Sequence, residues 1–216
     1  RPSLIQAPKP STTSLGSTPR QNSTPQWSPD GTSIAFSRRE QKHDSYYEIW
    51  VMDADGSNQR QLTHNDRRDL EPRWSPDGTR IAFQARTEVS VGGPVSKALD
   101  DFEIYVVHVE DGRVEQLTDN DYEDLDPVWS PDGRQIAFSS YRDGGYDIYV
   151  MDADGGNETQ LTDDQLWNRH PEWSPDGTRI AFDNPLGIFV MDADGGNRQQ
   201  ITFGSDQRPS WWAPNG

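Results

Sequence analysis

Apolar residues come in short bursts along this chain, alternating with polar ones, and no burst keeps an apolar face at helical spacing. The bursts recur in a fixed order. A Pro-x-Trp run comes first, at Pro25/Trp27, Pro72/Trp74, Pro127/Trp129, Pro171/Trp173 and Pro209/Trp211. Ile-Ala-Phe follows, at Ile34–Phe36, Ile81–Phe83, Ile136–Phe138 and Ile180–Phe182. A third burst of aromatic and branched residues opens at Glu48, Glu103, Asp147 and Gly187, and a fourth ends in Gln-Leu/Ile-Thr at Gln61–Thr63, Gln116–Thr118, Gln160–Thr162 and Gln200–Thr202. Such runs, bounded by Gly, Pro and Asp, predict strands, four to a repeat.

The punctuation agrees. Ser-Pro-Asp-Gly after each of the first four Pro-x-Trp runs predicts a tight turn: Pro presets φ, Asp bonds nearby backbone and Gly accepts positive φ. A decayed copy, Trp212-Ala-Pro-Asn-Gly216, ends the chain. Asp-Ala-Asp-Gly-Ser/Gly-Asn follows the third burst in repeats one, three and four. It predicts a turn and not a calcium loop, because it lacks the alternating-Asp spacing and the acidic twelfth residue. Trp-to-Trp spacings of 47, 55, 44 and 38 residues suit four-stranded blades. The expected fold is all-β, a β-propeller of four-stranded antiparallel blades. Four full blades are expected over about 25–63, 72–118, 127–162 and 171–202, with the first strand of a fifth at 209–216. The repeat tryptophans are expected to be largely buried. Residues 1–24, rich in Ser, Thr and Pro, are expected to form an arm or linker with one strand-like patch, Ser3–Ala7.

The unit Pro-x-Trp-Ser-Pro-Asp-Gly, Ile-Ala-Phe, Ile-Tyr-Val-Met-Asp-Ala-Asp-Gly-Gly-Asn, Gln-Leu-Thr resembles the repeat of the TolB-like six-bladed propeller family over residues 25–216. That resemblance implies the propeller fold. It implies function only broadly, since the family includes a periplasmic protein of an envelope-spanning complex as well as accessory domains of peptidases and cell-surface proteins. The expected location is periplasmic or extracellular.

Composition narrows the classes. A formal net charge of -16 argues against nucleic acid and anionic membrane surfaces. The absence of cysteine removes disulfides, thiolate catalysis and zinc–thiolate sites. No run of about 18 apolar residues occurs, so no membrane-spanning helix is expected. There is no Gly-x-Ser-x-Gly elbow, no His-Glu-x-x-His and no phosphate loop, and His43, His64, His108 and His170 are scattered. A non-catalytic binding or scaffold module is expected. The alternatives are an accessory propeller of a larger enzyme such as a peptidase, and a self-assembling structural subunit joined through open blade edges.

Strand alternation puts the first-to-second and third-to-fourth turns on one face of the propeller. The second-to-third loops and inter-blade connections then lie on the other. That second face carries the variation: Ser37–Tyr47, Gln84–Asp101, Ser139–Tyr146 and the short Asp183–Gly187. Binding to protein or polysaccharide is expected there. Three residues before each repeat Pro stands an Asx residue: Asn22, Asp69, Asp124, Asn168 and Asp206. Just before each Pro stand Thr24, Glu71, Asp126, His170 and Arg208. If the first strands are innermost, the Asx oxygens approach the channel mouth, where they would suit a weak cation site, with Ca²⁺ the expected ion. The other use of Asp and Asn at such positions is capping of local backbone.

Overall fold

The computed structural model describes residues 22–39, 46–65, 67–87, 101–164 and 166–204. Sixteen strands lie in chain order among them. The first four-stranded unit is β1 (Asn22–Trp27), β2 (Ser33–Arg39), β3 (Tyr47–Asp53) and β4 (Arg60–Gln61). The second is β5 (Arg67–Trp74), β6 (Arg80–Thr87), β7 (Phe102–His108) and β8 (Val114–Gln116). The third is β9 (Asp124–Trp129), β10 (Gln135–Arg142), β11 (Gly145–Asp152) and β12 (Thr159–Gln160). The fourth is β13 (Arg169–Trp173), β14 (Arg179–Asn184), β15 (Gly187–Asp192) and β16 (Gln199–Gln200). Each unit is an antiparallel meander, and one parallel bridge from Tyr47 to Arg68 joins the first two sheets. The all-β blade architecture expected from the repeat is present. The expected fifth strand, the Ser3–Ala7 patch and Trp211 lie outside the described residues.

The period of two along each strand divides every blade between its neighbours. In Ile-Ala-Phe, Ile and Phe face the preceding blade and Ala faces the following one. The third strand does the same with alternate residues. Three layers result. Ala35, Ile49 and Val51 pack on Ile81, Phe83, Tyr105 and Val107. Ala82, Ile104 and Val106 pack on Trp129, Ile136, Phe138 and Met151. Ala137, Ile148 and Val150 pack on Trp173, Ile180, Phe182 and Met191. The core is therefore a stack of inter-blade seams, which is why so modest an apolar fraction suffices.

Burial of the repeat tryptophans follows from that stacking. Trp129 and Trp173 are 5% and 6% exposed. Trp74 is partly buried against the first seam. Its indole N–H donates to the Gln26 carbonyl at 3.2 Å, and that of Trp129 donates to the Arg73 carbonyl at 3.1 Å, each one blade back. Trp27 breaks the expectation at 59% exposure. Its ring faces the side on which no described blade precedes it, so neither a seam nor a carbonyl is there to receive it.

The turns are built alike. Ser75 Oγ donates to Asp77 Oδ1 at 2.6 Å, and Thr79 donates to the same carboxylate from its N–H and Oγ at 3.0 and 2.8 Å. Ser28/Asp30, Ser130/Asp132 and Ser174/Asp176 repeat the core of this arrangement. In the third-to-fourth turns, Asn58, Asn157 and Asn197 each donate to the carboxylate of Asp53, Asp152 and Asp192 at 2.6 Å, as a turn requires. One expected loop is shorter than its sequence suggests. Most of Ser139–Tyr146 is strand, closed by Asp143 and Gly144 at φ 53° and 93°. Two consecutive positive φ values match the twist of the flanking strands.

Candidate binding face

The first strands of successive blades lie side by side, so they are the innermost elements. Each carries a bulge at the same place. The pairing register slips between Ser23 and Gln26, between Leu70 and Arg73, and between Arg169 and Glu172, and β9 slips likewise against β10. The residue before Pro sits in the slip with a left-handed backbone: Thr24 at φ 51°, Glu71 at 52°, Asp126 at 55° and His170 at 52°. Proline ordinarily pushes its predecessor to extended conformations. A left-handed non-glycine residue costs of order 1–3 kcal/mol and persists only where its surroundings fix it. The bulge re-aims these four side chains. Two of them meet across adjacent blades. His170 Nδ1 lies 2.7 Å from Asp183 Oδ1 and its Nε2 lies 3.8 Å from Asp126 Oδ2, which Arg169 also reaches at 3.3 Å. Among the described residues, the side chains that His170 meets here are carboxylates, Asp183 and Asp126, and not a hydroxyl nucleophile.

The Asx residues of the inner strands are engaged in local hydrogen bonds. Asp69, Asp124 and Asn168 are fully buried, each latching a blade's outgoing linker to the next blade's inner strand. Asn65 Nδ2 donates to Asp69 Oδ2 at 2.9 Å, while Asn65 N–H and Thr63 Oγ donate to Glu48. Asn120 repeats this between Glu103 and Asp124. In the third latch the types exchange: Asn168 Nδ2 donates to Asp164 at 2.6 Å and Asp147 at 3.3 Å. Removal from water pushes the carboxyl of Asp69 up to about 6 and that of Glu103 up to about 7, against the hydrogen bonds that favour their charged forms. Asn22 is exposed and accepts from Arg38 Nε at 3.0 Å. Asp206 lies outside the described residues. The four described positions thus stand in separate blades, and among the described residues no group of three His, Asp or Glu side chains is placed to hold a metal ion. Weak Ca²⁺ binding here remains a proposal. A concentration-dependent rise in melting temperature with calcium would support it, and a flat response would remove it.

The two faces differ in what their side chains are free to do. On one, the Ser-Asp-Thr and Asp-Asn turns consume their own polar groups. On the other, an aromatic group that the repeat does not contain gathers between the third and fourth blades. Tyr141 and Tyr146, from the β10–β11 hairpin, and Trp167, from the β12–β13 linker, have ring centroids 5.1, 5.6 and 6.0 Å apart. Arg142 stacks on Tyr122, from the β8–β9 linker, at 4.9 Å. The expected variable loops at 40–45 and 88–100 lie outside the described residues. The repeat reading missed this group because Tyr141 and Trp167 are not periodic, although Tyr146 stands where Tyr47 and Phe102 stand in the first two blades. The available signal was Trp167, a tryptophan out of register with every Pro-x-Trp run.

A family model described as the TolB beta propeller domain matches residues 6–90 and 94–216. Among solved structures, a TolB protein from Agrobacterium tumefaciens superposes with a TM-score of 0.62 at 23% identity, covering 87% of this chain and 83% of that one. TolB from Acinetobacter baumannii gives 0.60 at 25% identity, covering 81% of this chain and 41% of that one. The uncharacterized peptidase YuxL of Bacillus subtilis is 29% identical over 115 residues, a stretch that is 52% of this chain and 16% of that protein.

Proposed function

The chain belongs to the TolB β-propeller domain family, and from that premise we propose that it is a non-catalytic binding scaffold, periplasmic or extracellular, that engages a protein or polysaccharide partner through the face of its second-to-third hairpins and inter-blade linkers. The observation that carries this reading is the contrast between the faces. The turn face spends its polar side chains on itself, four times over, while the linker face holds non-repeating aromatic and charged residues on rigid strand ends. The strained pre-proline residues Thr24, Glu71, Asp126 and His170 lie on the same inner strands, and strain of this kind gathers at functional positions. Among the described residues no helix is long and apolar enough to cross a membrane.

Photo-crosslinking in the native cell tests the reading. A benzophenone amino acid replaces Asp143 on the linker face or Asp154 on the turn face. Covalent adducts from position 143 and none from 154 are expected; the reverse pattern would overturn the assignment of the face. A second reading, an accessory propeller of a larger peptidase, draws on the similarity to YuxL. It is supported instead if the native full-length protein hydrolyses aminoacyl anilides and this propeller alone does not.

A further inference from the structure

The aromatic group between blades three and four is more than an apolar patch. Trp167 is 50% exposed, Tyr122 42% and Tyr141 37%, whereas Tyr146 beneath them is 6% exposed and packs with Phe102 and Leu125. Trp167 and Tyr141 therefore face solvent on a buried aromatic base, with Tyr122 exposed beyond Arg142. They are fixed in place. Trp167 adopts φ 61°, which is rare for so bulky a residue, and the N–H of Asn168 beside it donates to the Tyr146 carbonyl at 2.8 Å. Tyr141 N–H donates to the Glu123 carbonyl at 2.9 Å, and the Tyr146 hydroxyl donates to the Glu123 carboxylate. Hairpin and both linkers are thus tied together, and the exposed rings are ordered before any ligand arrives.

The charges around the rings choose the ligand. Arg142 pairs with Glu158 at 2.7 Å, and Arg169 pairs with Asp126 at 3.3 Å while stacking on Tyr146. These two cations are already neutralised. Asp121, Asp143 and Asp163, one on each of the three segments that present the rings, are exposed. A chain of formal charge -16 adds a long-range field of the same sign. The surface therefore offers the open π-faces of Trp167 and Tyr141, beside a Tyr122 ring that Arg142 already covers on one side, framed by carboxylates. This combination disfavours an anionic ligand and suits guanidinium or ammonium groups on an extended chain.

The geometry points to this patch as the docking site for a cationic, Arg- or Lys-bearing peptide segment of the protein partner, with basic side chains over Trp167 and Tyr141 and their charges against Asp143 and Asp163. This inference rests on the linker face being the binding face, and it names the chemistry of what binds there.

The test uses the full chain and an Arg-Gly repeat peptide as the probe, followed by calorimetry at low and high salt. Trp167→Ala and Tyr141→Ala leave the net charge unchanged, so they separate the patch from bulk attraction. Each is expected to weaken binding about fivefold or more, as for exposed aromatic anchors. Trp167→Phe is expected to restore most of it, and rising salt to weaken all of it. Unchanged circular dichroism and melting temperature of the variants check the fold. Peptide affinity that is the same in Trp167→Ala as in the wild type would overturn the inference, as would no measurable binding. Trp167-dependent binding of a neutral hexasaccharide in place of the peptide would also overturn it, assigning the patch to glycan. In any of these cases crosslinks from position 143 would still stand for the linker face as a whole.

Discussion

Replacing Trp129 by Ala and, separately, Trp27 by Ala sets two chemically identical changes in opposite surroundings. Trp129 is 5% exposed, lies in the seam with Ala82, Ile104 and Val106, and donates to the Arg73 carbonyl. Its loss leaves a cavity between two blades that cannot collapse freely and should cost about 3–5 kcal/mol. Of this, about 0.5–1.5 kcal/mol belongs to the hydrogen bond. Trp27 is 59% exposed. It buries less than half of a large ring, on the order of 100 Å², which gives about 2.5 kcal/mol at most, and its site opens to water so that no cavity term is added. Urea unfolding followed by far-UV circular dichroism reads the difference as a shift in midpoint at common slope. Equal losses would refute the reasoning. They would mean that the outer side of the first blade is covered in solution, so that burial does not simply follow blade order in the described residues.

Further outcomes follow from the same structure. Asp69, Glu103, Asp124, Asp147 and Glu172 all have carboxyls raised first by burial. The folded state therefore keeps protons that the unfolded chain releases near pH 4, and stability should fall as pH rises from about 4 through about 7. Asp69 alone, raised to about 6, corresponds to up to about 3 kcal/mol. Melting temperature should be higher at pH 5 than at pH 8, and a steady increase toward pH 8 would contradict this. Below that window the sign reverses, because hydrogen bonds from Ser174 and Thr178 hold Asp176 down to about 2 and its contribution is lost only as pH falls through that value. Asp77→Ala removes three hydrogen bonds of one turn and should cost about 1–2 kcal/mol in the same unfolding assay; no change would make that turn motif dispensable. Exposed Trp27 at one end, with Ile201 at 57% and Phe203 at 85% at the other, leads us to propose association of copies through blade edges. Light scattering on the 216-residue chain should then show oligomers, and a stable monomer at micromolar concentration would rule this out.

The blades were legible in the sequence because their period is strict. Ile136, Ala137 and Phe138 must point alternately to two neighbours, and the identity of each residue already says which. Three features were less legible, each because tertiary context outweighs a local rule. Glu71 and Asp126 precede proline and should be extended, yet the bulge holds them left-handed. Asp69 and Asp124 stand out because their position along the innermost strand is repeated, but the hydrogen bonds they enter are set by the neighbouring linker. Their hydrogen-bond partners, Asn65 and Asn120, lie four residues upstream in the linkers, each two residues after the repeat's Gln-Leu-Thr. Ser139–Arg142 carries polar residues typical of a loop, but a two-residue turn at Asp143–Gly144 extends the ladder through them. The aromatic group joins residues from three segments, and only their placement on the scaffold brings Tyr122, Tyr141 and Trp167 together.

Amide hydrogen exchange of the chain with and without the partner trapped at position 143 tests the binding face most directly. Protection is expected over 117–123, 141–146 and 161–168, with the turns at 53–58, 152–157 and 192–197 unchanged. Protection confined to those turns, with the linkers exchanging as in the free chain, would contradict the account.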